Sequence, residues 1–321
     1  MIFKGRVSKE NILFIITLLF ALILNLIFLP QYILGDQLHY RAFYDSITSF
    51  GISEGFLFYQ NSLGSSEPGY FLIAWSLSNL GFQKDVVIIF FNILLAGLSF
   101  KIFTRLGAHP LIATIITTFS YYSYVLFFAA ERLKFSIIFF LMFFLFKRYR
   151  NILLSFAILC HAQVLILLSS FGLVFIKNIF FNFFKKGILK KRDLYAVILF
   201  FIILAVSIPI LGQHLLSKFE SYYSDRGLSD LLRVFIFFIL SFFYSKNKFN
   251  VFLLFMPIFI LVFIFGGERI NFLGYFLFLY CSLHYRKGFN FGVLATTLYF
   301  IYTGYNFLLN ITNYGDGFYG I

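Results

Sequence analysis

Charged residues are scarce in this chain. Asp, Glu, Lys and Arg together make up 12% of its 321 residues, about half the share of a soluble domain. With 61% of the residues hydrophobic, there is more apolar surface than one core of this length can hide, which excludes water as the main solvent. Cysteine is limited to Cys160 and Cys281, both inside apolar runs, so neither a disulfide framework nor a thiolate metal site is expected. There is no Gly-rich phosphate loop, no His-Glu-x-x-His and no paired-cysteine motif, and no internal repeat of the transporter kind is visible. Asp36 and Glu67 are too far apart in sequence to give a ligand spacing, so no metal and no cofactor is expected. Acidic residues are few as well, 13 against 26 Lys and Arg. In a soluble protein a net charge of +13 would suggest nucleic acid. In a membrane protein it is first a topology signal, and nucleic acid is not an expected partner.

What the chain has is apolar runs. The hydrophobic 61% of 321 residues leaves room for roughly ten or eleven helical spans of ~18–20 residues and for no separate catalytic domain. The sequence therefore predicts one integral membrane domain over residues 1–321, all-α and polytopic, with about eleven transmembrane helices (10–12). The first run, Ile12–Leu29, follows Lys4, Arg6 and Lys9, which puts the N-terminus in the cytoplasm and makes this a retained helix. A polar loop, residues 30–68, then lies outside. Gly69–Phe82 is only 14 residues long, which suits a re-entrant or interfacial helix. Later spans are expected at, among others, Val86–Phe103, Leu111–Ala129, Leu133–Phe146, Ile152–Leu168, Gly172–Phe184, Leu194–Leu211 and Phe291–Leu309. With Gly69–Phe82 not crossing, 18 of the 26 basic residues fall on the cytoplasmic side, and the C-terminus is external. A second outer loop covers residues 212–230.

The exceptions to that sorting point to function. Arg41, Lys84, Arg132, Lys134, Lys218, Arg226, Arg233 and Arg269 lie on the side where topology asks for no positive charge. Glu131-Arg132 and Glu268-Arg269 form two similar pairs at outer helix ends. Arginine donates bidentately to phosphate oxygens and stays charged at any working pH, so Arg132 and Arg269 suit a diphosphate; the alternative is that each pair caps a helical hairpin. His161, inside an apolar run, is either a structural hydrogen-bonding residue or a base for a hydroxyl nucleophile. Glu67 precedes Pro68, where a carboxylate also suits a helix start. Asp36 and Glu67 are candidates for holding a sugar or acting as general base. Arg41 and Tyr44 in the first loop, and Tyr222 and Arg226 in the second, are candidate substrate contacts; belt residues are the alternative for the tyrosines.

Asp36 with Tyr40 and Tyr44, the run Glu67-Pro68-Gly69-Tyr70, Arg132 opening a helix, His161 within an apolar span and Glu268-Arg269-Ile270 occur in this order over about 240 residues. In that ordered combination the chain resembles the EpsG-like branch of the Wzy-type polysaccharide polymerases, with Leu133 standing where family members often carry Gln. The resemblance implies a GT-C-like membrane glycosyltransferase of the bacterial cytoplasmic membrane that joins oligosaccharide repeats carried on undecaprenyl diphosphate at the outer face, with the bilayer and a chain-length regulator as further partners. For that reaction, outer-face placement and residue type suggest Arg132 and Arg269 on the diphosphate, His161 or Glu67 activating the acceptor hydroxyl, and Asp36 orienting sugar. A flippase of lipid-linked oligosaccharide and another polyprenyl-phosphate-sugar-dependent glycosyltransferase are the alternative readings.

Overall fold

The computed structural model describes residues 8–187, 228–265 and 270–319, with scattered helical positions from 191 to 202. The described residues contain helices and turns and no strand, so the chain is all-α. They divide into two compact units, Met1–Val164 with Leu283–Ile321, and Leu165–Ser282. The first contains α1 (Lys9–Phe28), α2 (Asp36–Ser46), α3 (Ile52–Leu63), α4 (Pro68–Asn79), α5 (Lys84–Arg105), α6 (Pro110–Phe119), the short α7 (Tyr121–Tyr124), α8 (Glu131–Leu145) and α9 (Arg150–Cys160). All but the first residue of α10 (Val164–Lys186) belongs to the second, with α11 (Leu228–Tyr244), α12 (Lys248–Phe265) and α13 (Asn271–Ser282). The last helix, α14 (Phe291–Tyr314), returns to the first unit.

Helix α1 shows why these runs fold as they do. Ser8 caps it by accepting the N–H of Asn11 at 3.2 Å, which satisfies one of the donors a helix start leaves open. Its buried residues, Thr17, Ala21, Leu24 and Asn25, share one face, against α5 and α6. The other face exposes Ile12, Ile16, Leu19, Ile23 and Ile27. A helix whose free face is this apolar, with Thr17 and Asn25 turned to the packed side, suits a lipid solvent. By length and composition α1, α5 and α10 are able to cross a membrane, and a fourth candidate is the bent pair formed by α6 with Tyr121–Ala129.

Three expected spans are redrawn. The run Leu111–Ala129 is not one straight helix: Ser120 adopts extended backbone (φ −75°, ψ 136°), and the two pieces meet at 57°. Beyond the bend, Val125–Ala129 widens into a π-turn. The close approach of α14 accompanies the bend, since a Cβ on Gly304 would sit 2.9 Å from the Tyr124 ring and 3.2 Å from the Tyr121 nitrogen. The expected reversal between Ile152–Leu168 and Gly172–Phe184 does not occur. Instead α10 runs unbroken through Ser169–Gly172, where the Ser169 and Ser170 hydroxyls donate to Ile166 O at 2.8 and 3.0 Å and leave no polar group that asks for a turn. The break comes earlier, at His161, whose backbone is extended (φ −163°, ψ 127°).

The first unit is tied at two places by contacts distant in sequence. The N–H groups of Ile33 and Leu34 donate to Gly315 O at 3.1 and 2.9 Å, and the Tyr32 hydroxyl donates to Asp316 at 3.3 Å. Gly35 (φ +57°) faces the Asp316 carboxylate so closely that a Cβ would lie 2.7 Å from it, so both conformation and space require glycine there. Elsewhere, the His109 N–H donates to Lys287 O at 2.8 Å, and Gly107 (φ +96°) abuts the His284 backbone. In the second unit α11 packs on α12 and α13, with Phe237 against Tyr275 and Phe278 over the small Gly274.

Candidate functional site

Glu67 stands where α4 begins. Gly64 ends α3 in the left-handed conformation (φ +56°), three residues turn the chain, and Pro68 opens α4 with a fixed φ and no N–H to satisfy. The Glu67 carboxylate does not cap its own helix. It reaches across to two other helices. Oε1 lies 2.5 Å from His161 Nδ1, and Oε2 accepts from Arg132 Nη1 at 2.9 Å. Oε2 also accepts from the Ser65 hydroxyl, which in turn accepts from Tyr59 OH at 3.0 Å. Burial of the Glu67 carboxyl favours its neutral form, but the hydrogen bond and charge of His161, then the Arg132 guanidinium and Ser65, outweigh it and hold the group well below the usual carboxylate range.

An ionised Glu67 only accepts, so when the imidazole is neutral its proton sits on Nδ1, facing Glu67, and Nε2 carries the lone pair. The ring is carried on the extended residue that separates α9 from α10, and Ser136 of α8 fixes this junction by donating to Ala157 O at 2.7 Å and to His161 O at 3.2 Å. Among the described residues His161 Nε2 has no hydrogen-bond partner. The three side chains are 13–16% exposed, shielded yet reachable.

Arg132 and its neighbour Glu131 part company. Arg132 turns to Glu67 and donates through Nε to Tyr40 OH at 3.3 Å. Glu131 turns the other way into a fully buried cluster: its Oε1 accepts from Lys84 Nζ at 2.6 Å and Gln37 Nε2 at 2.8 Å, and its Oε2 accepts from Tyr70 OH at 2.9 Å. Lys84 also donates to Gln37 Oε1 at 2.6 Å. The carbonyls loosened by the π-turn are met by side chains from several helices. Phe127 O accepts from Lys134 Nζ at 2.9 Å and Asn92 Nδ2 at 2.8 Å, and Phe128 O accepts from Gln37 Nε2 at 2.5 Å. Tyr40 and Tyr70, ring to ring at 5.8 Å, stand between the two clusters, and burial pushes the Tyr40 phenol up.

Of the residues singled out from sequence, Glu67, Arg132 and His161 come together although 65 and 94 positions separate the partners of Glu67. The other described candidates do not join them by any hydrogen bond or ion pair. Arg41 is engaged by Asp85 at 2.8 Å and by the carbonyls of Leu29 and Tyr32, so it clamps the first loop. Tyr44 OH donates to Phe82 O at 3.0 Å, and burial pushes its phenol up to about 12. Asp36 stands half-buried in the first turn of α2. Arg269, Tyr222 and Arg226 lie outside the described residues. Gln37, Lys84 and Tyr70 are brought in by the structure; the signal for Lys84 was its place, like that of Arg132, on the side where topology asks for no positive charge. No group of metal-ligating side chains occurs among the described residues, and Cys160 and Cys281 are buried free thiols.

No protein-family model, curated protein or solved structure matches the chain.

Proposed function

We propose that this protein is a membrane glycosyltransferase that polymerises oligosaccharide repeat units carried on undecaprenyl diphosphate, at the outer face of a bacterial cytoplasmic membrane, with Glu67, Arg132 and His161 at its centre. The observation that carries this reading is the convergence of an arginine, a histidine and a shared carboxylate from three helices of a chain built for lipid. The finer topology, with about eleven spans, a cytoplasmic N-terminus and an external C-terminus, belongs to the same proposal and rests on the distribution of Lys and Arg.

The chemistry needs little more. In the donor the anomeric carbon is already bonded to a diphosphate, a good leaving group, so no nucleotide is required. His161 Nε2 takes the proton of the acceptor hydroxyl as that oxygen bonds the anomeric carbon, and the carbon–oxygen bond to the diphosphate breaks with its electron pair staying on the phosphate. Arg132 meets the charge that develops there. Glu67 holds the imidazole by Nδ1 and stabilises the imidazolium once the proton has moved, while Asp36 faces the sugar.

A deletion strain tests the reading against its transport rival. Lipid-linked single repeats accumulating on the outer surface, with no polymer, support a polymerase; the same units trapped inside the cell support a flippase and overturn this proposal.

A further inference from the structure

The face of α4 that follows Glu67 is a stripe: Pro68, Gly69, Leu72, Ile73, Ser76 and Leu77 recur four apart and line one side of a cavity of about 400 Å³. Phe91 of α5 and Phe156 and Leu159 of α9 close the other side. Apart from Ser76, every lining side chain is apolar. The stripe spans ten residues, roughly 13 Å of helix. It starts at the residue after Glu67, and Leu159 stands two residues before His161, so the ionic cluster sits at one end of an otherwise apolar channel. At its Gly69 end the cavity is bounded by a close approach of α4 to α9: a Cβ on Gly69 would lie 2.7 Å from the Leu159 carbonyl carbon and 2.8 Å from the Cys160 nitrogen, so only glycine allows the two helices to meet there.

We infer that this channel holds the first isoprene units of a polyprenyl diphosphate whose phosphates face Arg132. The inference rests on the proposed function for the identity of the headgroup and adds where its chain lies. Charge complementarity selects the occupant: a phospholipid tail finds the same apolar walls, but only a chain joined directly to a diphosphate presents its anion to a guanidinium within one residue's reach of the channel mouth. An apolar chain leaving a charged site also has to be sheltered from water over the part of its length that the protein surrounds, and α4 supplies that shelter.

The test uses the full chain in phosphatidylglycerol nanodiscs, with inorganic diphosphate, geranyl diphosphate and farnesyl diphosphate as probes in a thermal-shift titration. Farnesyl diphosphate is expected to bind at least about tenfold more tightly than inorganic diphosphate, through the added buried methylenes, with geranyl diphosphate between them. Leu72→Trp, which fills the channel, is expected to erase that gain and leave inorganic diphosphate binding unchanged, which also shows the variant to be folded. Inorganic and farnesyl diphosphate binding equally, or Leu72→Trp keeping the farnesyl preference, overturns the channel while leaving the headgroup reading intact. Loss of all diphosphate binding in Arg132→Ala marks the headgroup site, and its persistence there overturns the proposed function rather than the channel.

Discussion

His161 Nδ1 and Glu67 Oε1 are 2.5 Å apart although six helices, α4 to α9, separate the two residues in chain order. One is the extended link after α9, the other the residue before α4. A histidine so held has its second nitrogen aimed by the first.

His161→Ala is therefore expected to abolish polymer and leave lipid-linked single repeats, a loss of about 10²–10⁴ in rate for removal of a general base. The repeat units should still be bound. Glycan gels of membranes complemented with the variant, at matched protein level, provide the check, and polymer of normal length would contradict the role.

Arg132→Ala is expected to be at least as severe, because it removes the cation proposed to receive the departing diphosphate and also one of the groups that keep Glu67 ionised. Arg132→Lys retains charge but not the forked geometry, so partial activity is expected. The order wild type, Lys, Ala in polymer yield is the readout; Ala above Lys would overturn it.

Glu67 also gives a pH dependence. Its carboxyl is held well below the usual carboxylate range in the folded protein, against about 4.3 in an unfolded chain. A depressed carboxyl contributes stability that is fully present above the unfolded value and is lost as pH falls through the folded one. Thermal unfolding in detergent should thus be insensitive to this group above about pH 5 and fall more steeply below that for wild type than for Glu67→Gln. Parallel curves for the two proteins down to pH 3 would show that Glu67 carries no such linkage.

The Lys84–Glu131 pair predicts a stability effect rather than a catalytic one. Both side chains are 5% exposed or less, so Glu131→Gln leaves the Lys84 ammonium without its counter-charge, at a cost of about 3–5 kcal/mol. Adding Lys84→Met removes the orphaned charge and should recover much of the loss. Unfolding midpoints of the single and double variants decide it, and additive effects would rule out the pairing.

Gly69→Ala should be destabilising for a reason unconnected with glycine's flexibility. The added methyl meets backbone atoms of Leu159 and Cys160, which cannot rotate away, and strain of about 1–3 kcal/mol is expected. Because the displaced segment carries His161, activity should fall further than the unfolding midpoint alone implies.

The helical class, apolar helices long enough to cross a membrane and three of the central polar residues were legible in the sequence. Arg132 stood out because a positive charge on the side that topology leaves neutral needs a local cause, and the same argument covers Lys84 and Lys134, whose partners turned out to be Glu131 and a π-turn carbonyl. Glu67 and His161 were legible as residue types but not as a pair, since no spacing rule connects positions 94 apart. Glu131 misled by adjacency: one residue along a helix is a rotation of about 100°, enough to send it and Arg132 into different clusters. The reversal expected after Leu168 failed because serines in a helix can satisfy themselves on the preceding turn, so polarity alone did not mark a turn. The break at His161 carried no proline or glycine to announce it.

The bonds joining residues 33 and 34 to Gly315, and His109 to Lys287, also count membrane crossings. On the proposed membrane topology, segments that share backbone hydrogen bonds belong on one side of the bilayer, so the chain between Leu34 and Gly315 would cross an even number of times, and so would the chain between His109 and Lys287. Helix α14, the only helix between Lys287 and Gly315, then sets the relation of the two ties to each other: if it crosses once, they lie on opposite faces, and the stretch from Leu34 to His109 must cross an odd number of times, a requirement that α5 alone can meet. A single accessible cysteine introduced after Gly315 therefore reports the sidedness of the loop after α1 as surely as one placed in that loop.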